Sequence, residues 1–497
     1  MIRRTGGTGR PRHAPPVSTT SRTGGTGRPR PAPPDPARSS TTPLHEEVKG
    51  NPMHKRLRRG LSALAIGVTA AIAMTACASG GSGSGGSSDD ITKALEKGGT
   101  LTYWSWTPSA EAQVAAFEKA YPKVKVKLVN AGTGNDQYTK LQNTIKAGSG
   151  APDVAQIEYF ALPQFALSDS LVDLKSYGFD KLADKYGAGT WQSVDLDGKV
   201  YGLPQDSGPM AMFYNEKTFK EAGISTPPKT WDEYVADAEK IHESNPNAYI
   251  AADSGDAGFT TSMIWQAGGR PFEVKGTDVT VNLQDSGTKK WTSTWNQLVE
   301  KGLLSQTPGW TDDWYKQLGN GEIATMVTGA WMPGVLESSV KDGSGNWRVA
   351  PIPTYDGSSD VTANNGGSAE VVMKQSKNPA LAAGFLKWLN SSQDSIDVFL
   401  KSGGFPSTKA ELTSSSFTAE KPEYFGGEAI NETLSKASST VAEGWQYLPF
   451  QVYANSVYAD TVGQAYQNKS DLNAGLEAWQ KAIVKYGNEQ GFKVTSK

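Results

Sequence analysis

The sequence predicts an α/β fold of two domains, and two observations lead to this prediction. From residue 98 onward, short apolar stretches with a period of two are separated by longer stretches with apolar residues at helical spacing. Strands that alternate with helices are typical of a mostly parallel sheet covered by helices. The 400 residues after residue 97 also suffice for two domains of ordinary size.

The predicted elements of the first domain follow one another as strand, helix and strand. GGTLTYWSW, at residues 98–106, is a short buried strand, and the next stretch places Val114, Phe117 and Tyr121 on one helical face. VKVKLV, at residues 124–129, alternates apolar and polar residues as a half-buried strand does. A further helix and a strand within APDVAQIEYF extend the series.

A second series of strands and helices begins after the stretch GLPQDSG. AMFYN is a predicted strand, and EKTFKEAG is a short helix that Gly223 ends. Thr230 and Glu233 form a capping box, which predicts a helix over WDEYVADAEKIHES. IATMVT and WRVAPIP are further strands, AEVVM is a late strand, and LNAGLEAWQKAIVKYG is an amphipathic C-terminal helix.

The beginning of the chain has the composition of a leader. Residues 1–52 are rich in Arg, Pro, Gly, Ser and Thr and repeat RTGGTGRPR, so we interpret them as a disordered extension or a mis-assigned start. Met53 opens a basic stretch that precedes an apolar run at residues 61–76, which is the pattern of an export signal. We therefore expect translation to begin at Met53 and the signal peptide to span residues 53–76.

Cys77, the only cysteine of the chain, ends the apolar run in the stretch AMTAC. This stretch resembles a bacterial lipobox, and the resemblance implies that the thiol carries a diacylglycerol and that Cys77 becomes the mature N-terminus. The alternative is a signal peptide that merely contains a cysteine. SGGSGSGGSSDD follows and is typical of a flexible tether, so we assign residues 77–97 to the lipidated cysteine and its tether.

Charge and histidine content exclude several function classes. From Cys77 onward the chain carries 36 basic and 48 acidic residues, a formal charge of −12, which argues against nucleic-acid binding. His242 is the only histidine after the leader, and we expect it to be an exposed helix residue. Catalytic sites built on histidine and zinc sites of the Cys/His type are therefore not expected, and no cofactor or metal is predicted.

Several stretches resemble one known family in their order along the chain: GSGAPDVAQIEYFALPQFALSDSLVDL, DGKVYGLPQDSGPMAMFYNEKTFKEAGISTPPKTWDEY, GEIATMVTGAWMPGVL, AEVVMKQSKNPALAAGFLKWLNS and GGFPST. They are similar to the extracellular solute-binding proteins of family 1, which include the maltose-binding proteins. The resemblance implies a two-lobed, periplasmic-binding-protein-like fold of type II, with a ligand cleft between lobes joined by hinge crossovers. It places lobe 1 at residues 98–207 and 360–410, lobe 2 at residues 208–359 and 411–497, and the crossovers near residues 206–209 and 353–362.

The same resemblance implies a function without catalysis. The protein would be exported, anchored by lipid on the outer face of the membrane, and would capture a sugar and deliver it to an ABC permease by hinge closure. The ATPase and permease would be separate chains, because this one has no P-loop and no predicted span after Cys77. We expect a monomer that binds no nucleic acid.

Candidate ligand-binding residues lie where predicted strands end. Trp331 matches by position the tryptophan that stacks on sugar in maltose-binding members, and Glu158 lies where family members place polar contacts. The other candidates are Trp104 and Trp106 after the first strand, Asp206 and Ser207 at the first crossover, Asn364, Gly366 and Gly367 at the return crossover, and Asp136, Trp265 and Phe405. One tryptophan of the first pair is explained equally well by core packing, Asp136 by helix capping, and the glycines by a turn.

The stretch LPQDSGPM departs from the maltose-binding pattern. The carboxylate that maltose-binding members carry slightly later falls at or near Gly208, so their sugar is not carried over. Two other interpretations stay open. One is the same fold with a non-sugar ligand, such as an amino compound or a phosphodiester. The other is a secreted enzyme that acts on glycosides, because paired carboxylates suffice for that chemistry. The lipobox and the family resemblance disfavour the enzyme.

Overall fold

A five-stranded sheet, two three-stranded sheets and two two-stranded sheets, together with many helices, organise the described part of the chain. The computed structural model describes residues 87–357 and 359–497. The predicted leader, the signal peptide, Cys77 and the tether up to residue 86 lie outside the described residues. In the part of the chain that is described, no helix is long and apolar enough to cross a membrane.

The first sheet is five-stranded, with the order β2-β1-β3-β14-β6. Strand β1 pairs in parallel with β2 and with β3. Strand β14 (Ser368–Val372), which follows the second sheet along the chain, runs antiparallel to both of its neighbours. The elements of this part before the first crossover are α1 (Ser88–Lys97), β1 (Gly99–Trp104), α2 (Ala110–Ala120), β2 (Val124–Val129), α3 (Asn135–Ala147), β3 (Val154–Glu158), α4 (Leu162–Leu167), α5 (Ala188–Gln192), β4 (Asp195–Leu196), β5 (Lys199–Val200) and β6 (Gly202–Pro204), with 3₁₀ helices at Leu174–Tyr177 and Phe179–Lys185.

The next part of the chain forms a three-stranded sheet with the order β12-β7-β13 and a separate two-stranded sheet of β8 and β11. Its strand β7 comes directly from the first crossover and pairs antiparallel with β12 and β13, while β8 pairs in parallel with β11, and Tyr249 before β8 bridges in parallel to Ile323 before β12. Its elements are β7 (Met210–Asn215), α6 (Glu216–Glu221), α7 (Trp231–Ser244), β8 (Ala251–Ala252), α8 (Ala257–Gln266), β9 (Phe272–Lys275), β10 (Asp278–Val281), α9 (Ser286–Glu300), β11 (Leu304–Ser305), α10 (Asp312–Asn320), β12 (Thr325–Gly329), α11 (Met332–Ser339) and β13 (Trp347–Ala350), with a 3₁₀ helix at Lys341–Gly343.

The remaining chain returns to the first sheet and then covers both. After β14 the structure is mostly helical, and the last strand pairs in parallel with β10. These elements are β14 (Ser368–Val372), α12 (Pro379–Ser391), α13 (Gln393–Lys401), α14 (Lys409–Leu412), α15 (Ser415–Thr418), α16 (Ile430–Ser438), α17 (Gln451–Ser456), α18 (Val462–Asn468), α19 (Leu472–Glu489) and β15 (Lys493–Ser496), with a 3₁₀ helix at Glu423–Phe425.

The strand that crosses between sheets explains why the prediction of a mostly parallel sheet is incomplete. The five-stranded sheet keeps its parallel strands β1, β2 and β3 but also contains β14, which runs antiparallel to both of its neighbours. In the three-stranded sheet, both pairings of β7 are antiparallel. Alternation of strands and helices along the chain indicates the fold class. It does not indicate the direction of a strand whose partner lies in another part of the sequence.

The C-terminal region packs on both lobes. Trp479 and Ile483 of α19 lie in the core of the second lobe. Val452 of α17, however, packs with Tyr138 and Leu162 in the first lobe. A single boundary at residue 411 therefore does not describe how this region packs.

The predicted tether is wrong in its last part, because α1 is an ordered helix. Ser87 and Asp90 form a capping box, which fixes the start of the helix. Ile91 is buried, and the side chains of Ile91 and Leu95 lie against Gly384 of α12, where even a methyl group would lie within 3.2 Å of both. Two apolar residues four positions apart were therefore enough to dock a short helix onto the first lobe.

His242 also differs from its predicted environment. It is half-buried in the last turn of α7, where Nδ1 lies 3.0 Å from the carbonyl oxygen of Ala248. Its ring also packs against Tyr249. These contacts give the residue a structural role at the end of the helix.

Candidate ligand-binding cleft

Two crossover segments, residues 205–209 and 351–367, join the lobes and lie side by side. Met210 donates its backbone N–H to the carbonyl of Ala363 at 2.8 Å, and Asn365 donates to the carbonyl of Gly208 at 2.7 Å. Both segments leave the sheets where strands end, which is where α/β proteins usually collect their ligands. The candidate site is therefore the surface around these paired segments.

Asp206 lies in the first crossover segment and is held by the second. Its Oδ1 accepts the backbone N–H of Ser368 at 2.6 Å, and its carbonyl accepts the hydroxyl of Tyr159 at 2.8 Å. Burial raises the pKa of the Asp206 carboxyl to about 6. The chain thus holds a carboxylate at the junction of the lobes.

Glu158 ends strand β3 and lies opposite Ser368 in the sheet. The hydroxyl of Tyr138 donates to Oε2 of Glu158 at 3.0 Å and accepts the backbone N–H of the same residue at 2.8 Å. Burial raises the pKa of Glu158 to about 7, and the charges of Asp206 and Asp256 add to this rise. Glu158 therefore lies in the electrostatic field of two further carboxylates.

Asp256 brings the second lobe into this group. It caps helix α8 by accepting the backbone N–H of Phe259 at 2.6 Å. Its side chain is exposed to water, yet desolvation by the surrounding protein raises its pKa. The charges of Asp206 and Asp256 both act on Glu158, so the three carboxylates form an acidic group contributed by the first lobe, the crossover and the second lobe. We take the space beside them, between the lobes, as the candidate recess.

Trp331 follows strand β12 and lies against the return crossover. Its Nε1 donates to the carbonyl of Asn365 at 2.8 Å, so the indole is fixed at one edge. Gly366 makes room for it, because a Cβ there would lie 2.9 Å from Nε1. The side chain is only half-buried, which leaves part of a large apolar ring surface accessible.

Asn365 joins the same elements through its side chain. Its Oδ1 accepts the hydroxyl of Thr328 at 3.1 Å, and its Nδ2 donates to the hydroxyl of Ser262 at 3.2 Å. These bonds tie the return crossover to β12 and α8. Asn365 is therefore the residue that positions Trp331 relative to the acidic group.

Comparison with protein families decides what kind of protein carries this site. A family model for the bacterial extracellular solute-binding proteins matches residues 103–395, more than half of the chain. This chain is a bacterial extracellular solute-binding protein. Its two lobes, joined by paired crossovers, are the type II arrangement of periplasmic binding proteins, which confirms the predicted fold class.

Solved structures of similar proteins carry sugars. One is the ABC transporter associated binding protein of B. animalis subsp. lactis Bl-04 in complex with β-1,6-galactobiose. It is 43% identical, with 80% of this chain and 99% of that chain covered and a TM-score of 0.76. Another is the galacto-N-biose-/lacto-N-biose I-binding protein of Bifidobacterium longum in complex with lacto-N-biose. It is 28% identical, with 80% and 99% covered and a TM-score of 0.71.

A curated relative is also named for a sugar ligand. The arabinooligosaccharide-binding protein of Bacillus subtilis (strain 168) is 27% identical over 334 residues, which cover 65% of this chain and 76% of that protein. The recognised resemblance to sugar-binding members of the family is thereby confirmed.

Three predicted residues of this solute-binding protein belong to the first lobe. Trp104 and Trp106 are half-buried and pack in the same cluster as Tyr138, whose ring Trp106 meets edge-on at 6.4 Å. Asp136 is exposed in the first turn of α3, and the helix begins after Gly134, so Asp136 is not its cap. All three stay candidates, with Trp106 in contact with the aromatic ring that binds Glu158.

Three other predicted residues are buried in packing or hydrogen-bonding roles. Ser207 donates to the carbonyl of Pro406 at 3.3 Å, and Phe405 packs in the core of the second lobe against Phe417. Trp265 is 7% exposed, and its Nε1 donates to the carbonyl of Ala442 at 2.6 Å. We therefore do not carry these three side chains into the proposed site.

The predicted crossover residues contribute through their backbone. Asn364 forms a β-bridge with Pro209. Gly367 has a φ of +96°, and a Cβ there would lie 2.7 Å from the ring of Tyr159. Gly366 and Gly367 thus allow two aromatic rings to approach the crossover, which agrees with the turn interpretation that the sequence left open.

The structure adds two aromatic residues that the sequence analysis missed. The ring of Trp445 stacks on Trp265 with centroids 5.2 Å apart and meets Tyr447 edge-on at 6.0 Å. Burial raises the pKa of the Tyr447 hydroxyl, and the charge of Glu158 raises it further, so Tyr447 lies close to the acidic group. The stretch EGWQY has no periodicity, and two aromatic residues in a polar loop were the only available signal.

Proposed function

We propose that this solute-binding protein captures a sugar in the recess between its lobes and delivers it to an ABC permease. The observation that carries the proposal is the combination of the acidic group with the half-buried indole of Trp331. Carboxylates accept hydrogen bonds from adjacent hydroxyls, and an indole face buries the apolar C–H face of a sugar ring. Relatives whose sugar complexes are known support the same assignment.

Closure would follow from contacts that the ligand makes with both lobes. Glu158 belongs to the first lobe, whereas Asp256 and Trp331 belong to the second, so a sugar that touches all three binds better when the lobes approach. The paired crossover segments are the natural hinge, because they are the connections that leave one sheet and enter the other. Binding and closure need no cofactor and no chemical step.

An amino compound is a second candidate, because the charges acting on Glu158 from Asp206 and Asp256 are all negative. A cation in the recess would relieve their repulsion. A phosphodiester would increase it, so the acidic group disfavours that ligand. A sugar is neutral and an amine is a cation, so binding measurements with both ligand classes distinguish the two candidates.

We further propose that the protein is an exported lipoprotein anchored through Cys77. The support is the lipobox-like stretch AMTAC, together with family membership among extracellular proteins. Mass spectrometry of the exported protein is expected to find a diacylglycerol on an N-terminal Cys77. An unmodified cysteine at that terminus would overturn the anchor and leave the binding proposal intact.

Isothermal titration calorimetry of the purified protein tests the ligand class. The panel comprises β-1,6-galactobiose, lactose, maltose, arabinobiose, their monosaccharides, putrescine and spermidine. Binding of one sugar that is lost in Trp331→Ala and kept in Trp191→Phe supports the proposal, because Trp191 stacks on Tyr186 in the first lobe instead. Binding of an amine alone would replace sugar by the second candidate, and release of monosaccharide during incubation would indicate an enzyme.

A further inference from the structure

Helix α17 and the loop before it contact both lobes. Leu448 and Ala454 lie in the core of the second lobe. Val452 lies in a different apolar cluster, and Tyr447 packs against that cluster. All other residues of this cluster in the described part of the chain belong to the first lobe. The side chains of one short segment, residues 447–454, are therefore divided between the two lobes.

The second lobe fixes the position of this segment. Trp479 of α19 is fully buried and donates its Nε1 to the carbonyl of Ala454 at 2.7 Å. Tyr453 of α17 stacks on Tyr486 of α19 with ring centroids 3.6 Å apart. We therefore expect α17 to move with the second lobe whenever the lobes separate.

The contact with the first lobe lies beside the candidate recess. Helix α17 packs on α3, and Val452 is only 8% exposed. Tyr138 of α3 belongs to the same cluster and donates its hydroxyl to Glu158. Burial raises the pKa of Tyr447, and the charge of Glu158 raises it further. We call the packing of Val452 and Tyr447 on this cluster the interlobe contact.

The packing of α17 on α3 is apolar. The side-chain amide of Gln451 donates to Asn455 inside α17 at 2.9 Å, and among the described residues no hydrogen bond joins α17 to α3. Burial of an aliphatic side chain stabilises such a contact without directional groups. The two helices can therefore separate without leaving buried donors or acceptors unpaired.

We propose that Val452 sets the fraction of the ligand-free protein in which the lobes are closed, and through this fraction the affinity for every ligand. The inference rests on the proposed function, since it assumes that binding requires closure. The apparent dissociation constant equals the intrinsic constant divided by the binding-competent fraction. A residue that changes only this fraction changes all affinities by one common factor. Val452 is thus a positioning residue that acts through the lobes and does not select among ligands.

Calorimetry of Val452→Ser with an oligosaccharide and a monosaccharide of the panel above tests this inference. We expect both dissociation constants to rise by the same factor, about threefold to tenfold, because a hydroxyl weakens the interlobe contact. Val452→Ala should give a smaller common factor, and it replaces the serine variant if that variant does not fold. Val457→Ser is the matched control, because Val457 packs on the core of the second lobe, and it should leave both constants unchanged.

Small-angle X-ray scattering of the same proteins without ligand measures closure directly. We expect a larger radius of gyration for Val452→Ser than for the wild type and for Val457→Ser. An unchanged radius would overturn the proposal, and so would factors that differ between the two sugars, because Val452 would then contact the ligand. A wild-type protein that binds no sugar of the panel would overturn the proposed function alone, since the scattering comparison tests the interlobe contact without a ligand.

Discussion

Two glutamates on neighbouring strands of the first sheet, one fully buried and one half-buried, have different predicted roles. Glu370 on β14 is fully buried, and Tyr103 donates to its Oε1 at 2.8 Å while Asn390 donates to its Oε2. Within the described residues, the side chain of Glu158 on β3 accepts a hydrogen bond from Tyr138, and Glu158 is half-buried beside the candidate recess. Burial raises both pKa values, that of Glu370 to about 8 and that of Glu158 to about 7.

The comparison teaches that a perturbed pKa does not by itself identify a functional residue. Desolvation raises the pKa of both carboxyls, but Glu370 accepts hydrogen bonds on both oxygens inside the core, whereas Glu158 is half-buried and accepts a side-chain hydrogen bond on one oxygen. The number of protein partners and the access to solvent distinguish the structural acid from the ligand-binding candidate.

The largest expected effect is on stability when Glu370 is removed. Glu370→Ala leaves the donors of Tyr103 and Asn390 unpaired and opens a cavity, so we expect the free energy of unfolding to fall by about 3 kcal/mol or more. Urea denaturation measures this change. Sugar affinity of the folded protein should be unaffected, and a selective loss of affinity without destabilisation would reverse the roles assigned to the two glutamates.

Removal of the Glu158 side chain should instead weaken sugar binding. Glu158→Ala is expected to weaken the sugar by about tenfold to a hundredfold and to change stability by less than about 1 kcal/mol, since it removes a partly satisfied carboxyl from the recess. Calorimetry and urea denaturation of the same sample separate the two effects. Unchanged affinity would exclude Glu158 from the site.

A smaller effect concerns the dependence of stability on pH. The pKa of Glu370 rises on folding from 4.5 to about 8, so between these values the folded state binds more protons than the unfolded state. Stability should therefore decrease as pH rises through this window, with a slope of up to about 1.4 kcal/mol per pH unit from this group. Glu370→Gln should flatten the slope, and an equal slope in that variant would show that Glu370 does not titrate there.

The smallest effects come from the tyrosines that donate to each glutamate. Tyr103→Phe should reduce stability by about 1–2 kcal/mol and leave affinity unchanged. Tyr138→Phe should instead weaken sugar binding by about threefold to tenfold, because Glu158 loses the donor that orients it. If both tyrosine variants changed stability alone, or both changed sugar affinity alone, the different roles assigned to Glu370 and Glu158 would be wrong.

Glu158 was predicted from the end of its strand, Asp206 from the first crossover, and Trp331 from the family resemblance. The structure places Asp206 and Trp331 against the return crossover and Glu158 at the end of β3, and their role in ligand binding stays a prediction. The prediction was poorest where a side chain's neighbours come from distant segments. Phe405 and Trp265 are buried by residues near 417 and 442–445, and neither contact has a local signal.

The sequence by itself determined the α/β class, the order of most strands and helices, and the family, because periodicity and motifs are properties of neighbouring residues. Only the tertiary structure decided which carboxylates share the recess, that Tyr447 lies near Glu158, that α1 docks on α12, and that Val452 packs on the first lobe. The physical reason is that two crossovers bring together segments that are remote along the chain. Desolvation, electrostatic repulsion and apolar packing depend on those distances in space.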